Sequence, residues 1–152
     1  MTFIDTSVLV EILKVPGKNQ RSEEITAELR ERVTSSESMI LPTASIIETG
    51  NHIAQVDDGG VRRKLAESLA KLLEATVSES APWTLNGARW DGELLAAICR
   101  GARGCPALPE MAAQKIGVGD VSILAEAEAY ERRVANVVVS IWTLDTGLSA
   151  YA

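Results

Sequence analysis

The chain has 152 residues, 46% hydrophobic and 24% charged, a composition that suits one domain with a core of its own. Its net charge of −6 excludes non-specific nucleic-acid binding by bulk basicity, which needs cations to neutralise phosphates. With only 4% aromatics, the core must come mainly from Leu, Val, Ile and Ala.

In chain order, Thr2 to Asp5 reads as a short buried strand, followed by a helix carrying Val8, Leu9, Ile12 and Leu13 and ended by Pro16 and Gly17. The opening MTFIDTSVLVEILK lacks a basic leader and its apolar run is broken by Asp5 and Glu11, so it is not a signal peptide. Asn19 to about Val33 forms an amphipathic helix with Ile25, Leu29 and Val33 on one side. Met39–Leu41 is a second strand, stopped by Pro42. Thr43 or Ser45 then caps a helix through Ile46, Ile47, Gly50 and Ile53. Asp57–Gly60 is a turn, and Val61 to about Val77 a helix with Leu65, Leu69, Leu72 and Leu73 inward. Trp83–Leu85 is a third strand, Glu93–Cys99 a helix, and Gly101–Pro109 a loop. A helix from about Asp120 to Arg133 leads to the apolar run Val137–Trp142, the last strand, which Asp145 follows. Strands alternating with helices predict an α/β fold, a single domain over residues 1–152 with a short, mainly parallel central sheet.

Cys99 and Cys105 form no CxxC pair, and two thiols without a secretion signal point to a reducing, cytoplasmic compartment. No apolar stretch approaches the roughly 18 residues of a membrane-spanning helix.

Ligands of parallel α/β sheets sit beyond the carboxyl ends of the strands. Asp5 and Asp145 close the first and last strands, Glu48 lies on the helix after the second, and Asp120 opens the helix before the last. Each has an ordinary structural role open to it. The three aspartates suit helix N-caps, and Glu48 could reach back to the Ser45 backbone in a capping box. Jointly they lie in apolar runs, FIDTSVLV, SIIETG, VGDVSIL and IWTLDTGL, away from the basic residues. Carboxylates brought together near a core repel unless a cation or shared protons relieve them. Oxygen-only ligation favours Mg²⁺ or Mn²⁺, and with a single histidine, His52, neither a zinc site nor a Ser/His/Asp triad is convincing. Neither phosphate-loop motif, GxGxxG or GxxxxGK[ST], occurs. The chemistry that fits is hydrolysis of phosphate esters.

The segments FIDTSVLVEIL, TASIIETGNHIA, GVGDVSILAEAEAY and VVVSIWTLDTGL, in that order, resemble the PIN-domain nucleases, and among them the VapC-type toxins of toxin–antitoxin pairs. They run from end to end of the chain, although residues 60–115 carry no motif and Leu148 stands where an aromatic is common. The resemblance implies a three-layer α/β/α fold and Mg²⁺- or Mn²⁺-dependent cleavage of RNA. It places Asp5, Glu48, Asp120 and Asp145 on the family's acidic, metal-holding quartet, with Ser7 and Thr143 on its supporting polar positions. It further implies a small antitoxin that blocks the cleft, and homodimerisation.

Arg100, Arg103 and Lys115, near Asp120 in sequence, are expected to contact substrate phosphates. His52, four residues after Glu48, is expected to be a partly exposed polar residue. Trp83 and Trp90 are expected in a core or protein interface rather than stacked on bases. Two alternatives stand beside the nuclease: a catalytically silent PIN-like module that docks a protein, and a metal-dependent phosphatase of the haloacid dehalogenase type. The phosphatase needs an acid two residues after Asp5, where Ser7 stands.

Overall fold

The structure is a computed structural model describing residues 1–152. Its elements are β1 (Thr2–Ile4), α1 (Thr6–Ile12), α2 (Ser22–Thr34), β2 (Met39–Leu41), α3 (Thr43–Ala54), α4 (Gly59–Val77), β3 (Trp83–Leu85), α5 (Gly92–Arg100), α6 (Leu108–Ala113), α7 (Val118–Arg133), β4 (Ser140–Trp142) and α8 (Thr146–Ser149). The four strands form an all-parallel sheet in the order β3-β2-β1-β4. The expected α/β architecture with helices on both faces of a short parallel sheet is the one found.

Alternation along each three-residue strand decides what goes where. Phe3, Ile40 and Ile141 are in register and point to one face, where they pack with Leu94, Ile98, Met111, Val121, Leu124 and Leu148 from α5 to α8. Ile4, Met39, Leu41, Trp83 and Trp142 point to the other face and pack with Val8, Leu9 and Ile25 of α1 and α2, backed by Leu72 and Leu73 of α4. Each fully buried side chain of this size contributes about 1.5–3 kcal/mol. Both faces are therefore covered, as parallel sheets require. A third cluster, Val10, Val15, Ile53 and Leu65, locks α1, α3 and α4 together beyond the sheet. No helix is long and apolar enough to cross a membrane.

The connections explain the layering. From β1 the chain steps outward to β2 and β3, then returns across the sheet to β4 on the other side of β1. A crossover of constant hand that reverses direction must place its helices on the opposite face. The reversal creates a switch point between β1 and β4, where α/β folds open a crevice at the strands' carboxyl ends.

Several boundaries differ from the sequence reading. Pro42, not Thr43 or Ser45, is the N-cap of α3, and Ser45 Oγ instead donates to Ile4 O at 2.7 Å. Gly59 and Gly60 belong to α4, whose cap is Asp58. Pro109 lies in the first turn of the short helix α6, a position that tolerates a missing N–H, so part of the expected loop is helical. The last strand is Ser140–Trp142, not Val137–Trp142. Its only partner, β1, begins at Thr2; upstream only Met1 pairs with the segment, donating to Val138 O at 3.1 Å and accepting from Ser140 N at 3.0 Å, and Val138 is 84% exposed.

Two buried acids hold the scaffold. Glu11 accepts from Arg21 N at 3.1 Å and Ser22 Oγ at 3.0 Å, supplying the N-terminal cap that α2 lacks locally. Glu126, fully buried on α7, accepts from Asn86 Nδ2 at 3.3 Å. Burial pushes its pKa up, against the pull of Asn86, Trp90 and the Thr43 amide at the start of α3.

Candidate metal centre

Asp5, Glu48, Asp120 and Asp145 line one cleft of about 350 Å³, together with Thr6, Ser7, Lys18, Asn51, His52 and Gln55. Residues separated by up to 140 positions meet there because β1 and β4 are neighbours and α3 packs against both α1 and α7.

Asp5 sits at the floor, 1% exposed, as the N-cap of α1. Its Oδ2 accepts from Ser7 N at 3.2 Å, Ser7 Oγ at 2.5 Å and Thr143 Oγ1 at 2.8 Å. Thr143 Oγ1 in turn accepts from Asp145 N at 2.9 Å, and Ser7 Oγ accepts from Leu144 N at 2.9 Å. Ser7 and Thr143 thus brace Asp5 and tie the end of β1 to the loop after β4, which is the supporting role expected of them. Asp5 Oδ1 is buried and has no hydrogen-bond partner. An anionic oxygen in that position is costly without a counter-charge.

Glu48 lies in the second turn of α3, too far along to form the capping box with Ser45 that the sequence allowed. Its Oε2 accepts from Thr6 Oγ1 at 2.9 Å. It can lie against α7 only because residue 119 is glycine: a Cβ there would overlap the Glu48 carboxylate. Asp120 follows at the third position of α7, with Oδ2 accepting from Gly117 N at 3.0 Å. Asp145 caps α8, its Oδ1 accepting from Leu148 N at 2.8 Å.

Asp5 and Asp145 are thus helix N-caps as the sequence allowed, whereas Asp120 is not: Gly117 caps α7 and Asp120 reaches back to its N–H; all three also line one cleft. None of the four acids has a Lys or Arg within ion-pair distance. Burial pushes Asp120 up to about 6, and Asp5, Glu48 and Asp145 push in the same direction, outweighing the Gly117 N–H. Burial is the larger cause, and the neighbouring carboxylates add to it. The carboxylates are splayed, however: no three acidic, His or Cys side chains are gathered closely enough to hold an ion as they stand. In chemistry, the all-oxygen donors and the orphaned Asp5 Oδ1 suit a hard divalent cation, which Asp5, Glu48, Asp120 and Asp145 would hold.

Two expectations concern this geometry. Gly119→Ala should fold, since only the end of a flexible side chain must move and Ala favours a helix over Gly by about 1 kcal/mol. Displacing Glu48 should nevertheless weaken Mn²⁺ binding by roughly tenfold or more, the scale on which misplaced metal-site groups act, as read by calorimetric titration. The second concerns pH. Asp120 binds its proton more tightly folded than unfolded, so its stabilisation is complete below the ordinary carboxylate range and disappears as pH rises through about 6. Metal-free Asp120→Asn, which cannot ionise, should therefore melt at a higher temperature than the parent above pH 6 and equally below about pH 4, the ordinary range.

Cleft residues missed by sequence reasoning are Thr6, Lys18, Asn51 and Gln55. Asn51 and Gln55 recur three and seven residues after Glu48, a helical spacing that could have revealed them. His52 is half-buried as expected but lines the cleft, and partial burial followed by nearby Lys18 lowers its pKa. The basic residues expected at the substrate lie elsewhere. Arg103 is held by Glu131 at 2.8 Å, Val139 O at 3.0 Å and Tyr151 O at 3.3 Å, pinning its loop to the carboxyl end of the chain. Arg100 faces Glu128 at 3.9 Å, and neither it nor Lys115 borders the cleft. Trp83 is core, with Nε1 donating to Thr76 Oγ1 at 3.0 Å, while Trp90 is 45% exposed.

No family model matches the chain, and no curated protein or solved structure matches it significantly.

Proposed function

We propose that the protein is a cytoplasmic Mg²⁺- or Mn²⁺-dependent endoribonuclease of the PIN type. The observation that carries this reading is a single cleft lined by four carboxylates, none in an ion pair, with the buried Asp5 Oδ1 left unpartnered. Bound there, Mg²⁺ or Mn²⁺ supplies an acidified water nucleophile and offsets charge on the phosphoryl oxygens.

The protein's own groups account for the rest. Ser7 and Thr143 fix Asp5 through one oxygen and leave the other for ligation. Thr6 and Gly119 aim Glu48 across the cleft. Asp120 adds a fourth carboxylate at the start of α7, its Oδ2 oriented by the Gly117 N–H at 3.0 Å. Lys18 brings positive charge to the rim of an acidic cleft, where a phosphate must approach.

We further propose that this nuclease is the toxin of a toxin–antitoxin pair, blocked at the cleft by a small antitoxin and acting as a homodimer. That part rests on the four-segment resemblance. A silent PIN-like docking module is the second reading, favoured by the splay of the carboxylates. Incubating the purified protein with total RNA in Mn²⁺, and again with chelator, separates the two. Cleavage abolished by chelator supports the nuclease, whereas intact RNA at millimolar Mn²⁺ supports the docking module.

A further inference from the structure

A second groove of about 610 Å³ adjoins the carboxylate cleft and shares Lys18, His52 and Gln55 with it. One wall is the turn after α1, Val15 to Lys18; the other is the end of α3 and the turn after it, Gln55 to Asp58. Both walls are braced. Val15 N donates to Val10 O at 2.9 Å, Lys18 N to Val15 O at 2.9 Å, and Gln20 Nε2 to Gly17 O at 3.0 Å. Opposite, Arg62 donates to Val56 O at 2.7 Å. The groove is thus a formed feature of the fold.

Its chemistry changes along its length. At the junction, Lys18 has no carboxylate within ion-pair distance, so its charge is available to an anion. Beyond it the lining turns apolar at Pro16, Val56 and Val61. At the far rim stand two acids. Asp58 is engaged in capping Val61 N at 2.8 Å, whereas Asp57 makes no hydrogen bond or ion pair. This end repels phosphate and accepts hydrogen-bond donors.

We propose that this groove is the subsite for the nucleotide next to the scissile bond on a single RNA strand, and that it selects guanine; the proposal rests on the nuclease reading. Lys18 contacts the phosphate, as a compact point charge suits. The base lies against the apolar wall beside the His52 ring, and Asp57 accepts from its exposed edge. Guanine alone among the four bases sets two neighbouring donors, N1–H and the N2 amino group, on its Watson–Crick edge, matching the two oxygens of a carboxylate. On that edge the other three bases set an acceptor beside each donor, which a carboxylate repels. Base edges are open to such recognition only in unpaired RNA.

The test is fluorescence anisotropy with labelled oligouridylates carrying one central G, A, C or U, using Asp5→Asn protein so that no cleavage intervenes. The G-containing strand should bind roughly tenfold tighter than the others. Asp57→Asn should reduce that preference to about twofold or less. Lys18→Ala should weaken all four strands alike and lower the salt dependence by about one unit of slope. Both side chains are exposed, so neither change threatens folding. Arg63→Ala on α4, outside both grooves, should alter nothing. Equal binding of the four strands, a preference unchanged by Asp57→Asn, or affinity unchanged by Lys18→Ala would overturn the subsite. Guanine preference in a wild-type protein that never cleaves RNA would instead refute the nuclease reading alone.

Discussion

Asp5→Asn is expected to give a folded protein whose Mn²⁺-dependent RNA cleavage falls by about two orders of magnitude or more, the scale of losing one charge-stabilising group. The reason lies in how Asp5 is held. Ser7 N–H can only donate, so it requires an oxygen at the inner position of the side chain. An asparagine therefore keeps its carbonyl oxygen toward Ser7 and puts its amide nitrogen in the place of the unpartnered Oδ1. A donor then occupies the position that must ligate a cation. The cap of α1 survives, because Asn caps as well as Asp. Circular dichroism and a metal-free melt should match the parent, or show a slight gain from relieved repulsion. Full cleavage by this variant would contradict the site.

The second large effect is stabilisation by the metal. A ligand that binds only the folded state at a hundredfold excess over its Kd adds about 2.7 kcal/mol. For a chain of this size that corresponds to a rise in Tm of roughly 5–11 °C. Mn²⁺ at millimolar concentration should produce it at pH 7.5, and EDTA should reverse it. The shift should shrink as pH falls below about 6, because Asp120 then holds a proton that the cation must displace. An unchanged melt at pH 7.5 would count against ligation, and a shift that grows on acidification would contradict the role given to Asp120.

Much of the fold was legible because its strands are short apolar runs separated by amphipathic helices, and parallel pairing follows from that order. The four acids were legible because each interrupts an apolar run at a strand end or helix start. What failed had a spatial cause. Arg100, Arg103 and Lys115 precede Asp120 in sequence, but Arg103 is turned back onto Glu131 and the carboxyl end of the chain, and none borders the cleft. Lys18, the base that does border it, sits on a turn whose position depends on how α1, α3 and α4 pack. Nothing in its local sequence announces that. The packing of Gly119 against Glu48 emerges only when α3 and α7 are brought together. The last strand was overestimated because hydrophobicity reports burial preference, whereas ladder length is set by the partner strand.

The most direct measurement is the anomalous difference map of crystals soaked in Mn²⁺. A peak within about 2.3 Å of Asp5 Oδ1, with Glu48, Asp120 or Asp145 drawn inward to share it, is the predicted result. A fully soaked crystal with no peak in the cleft, or with Mn²⁺ bound only elsewhere, would contradict it.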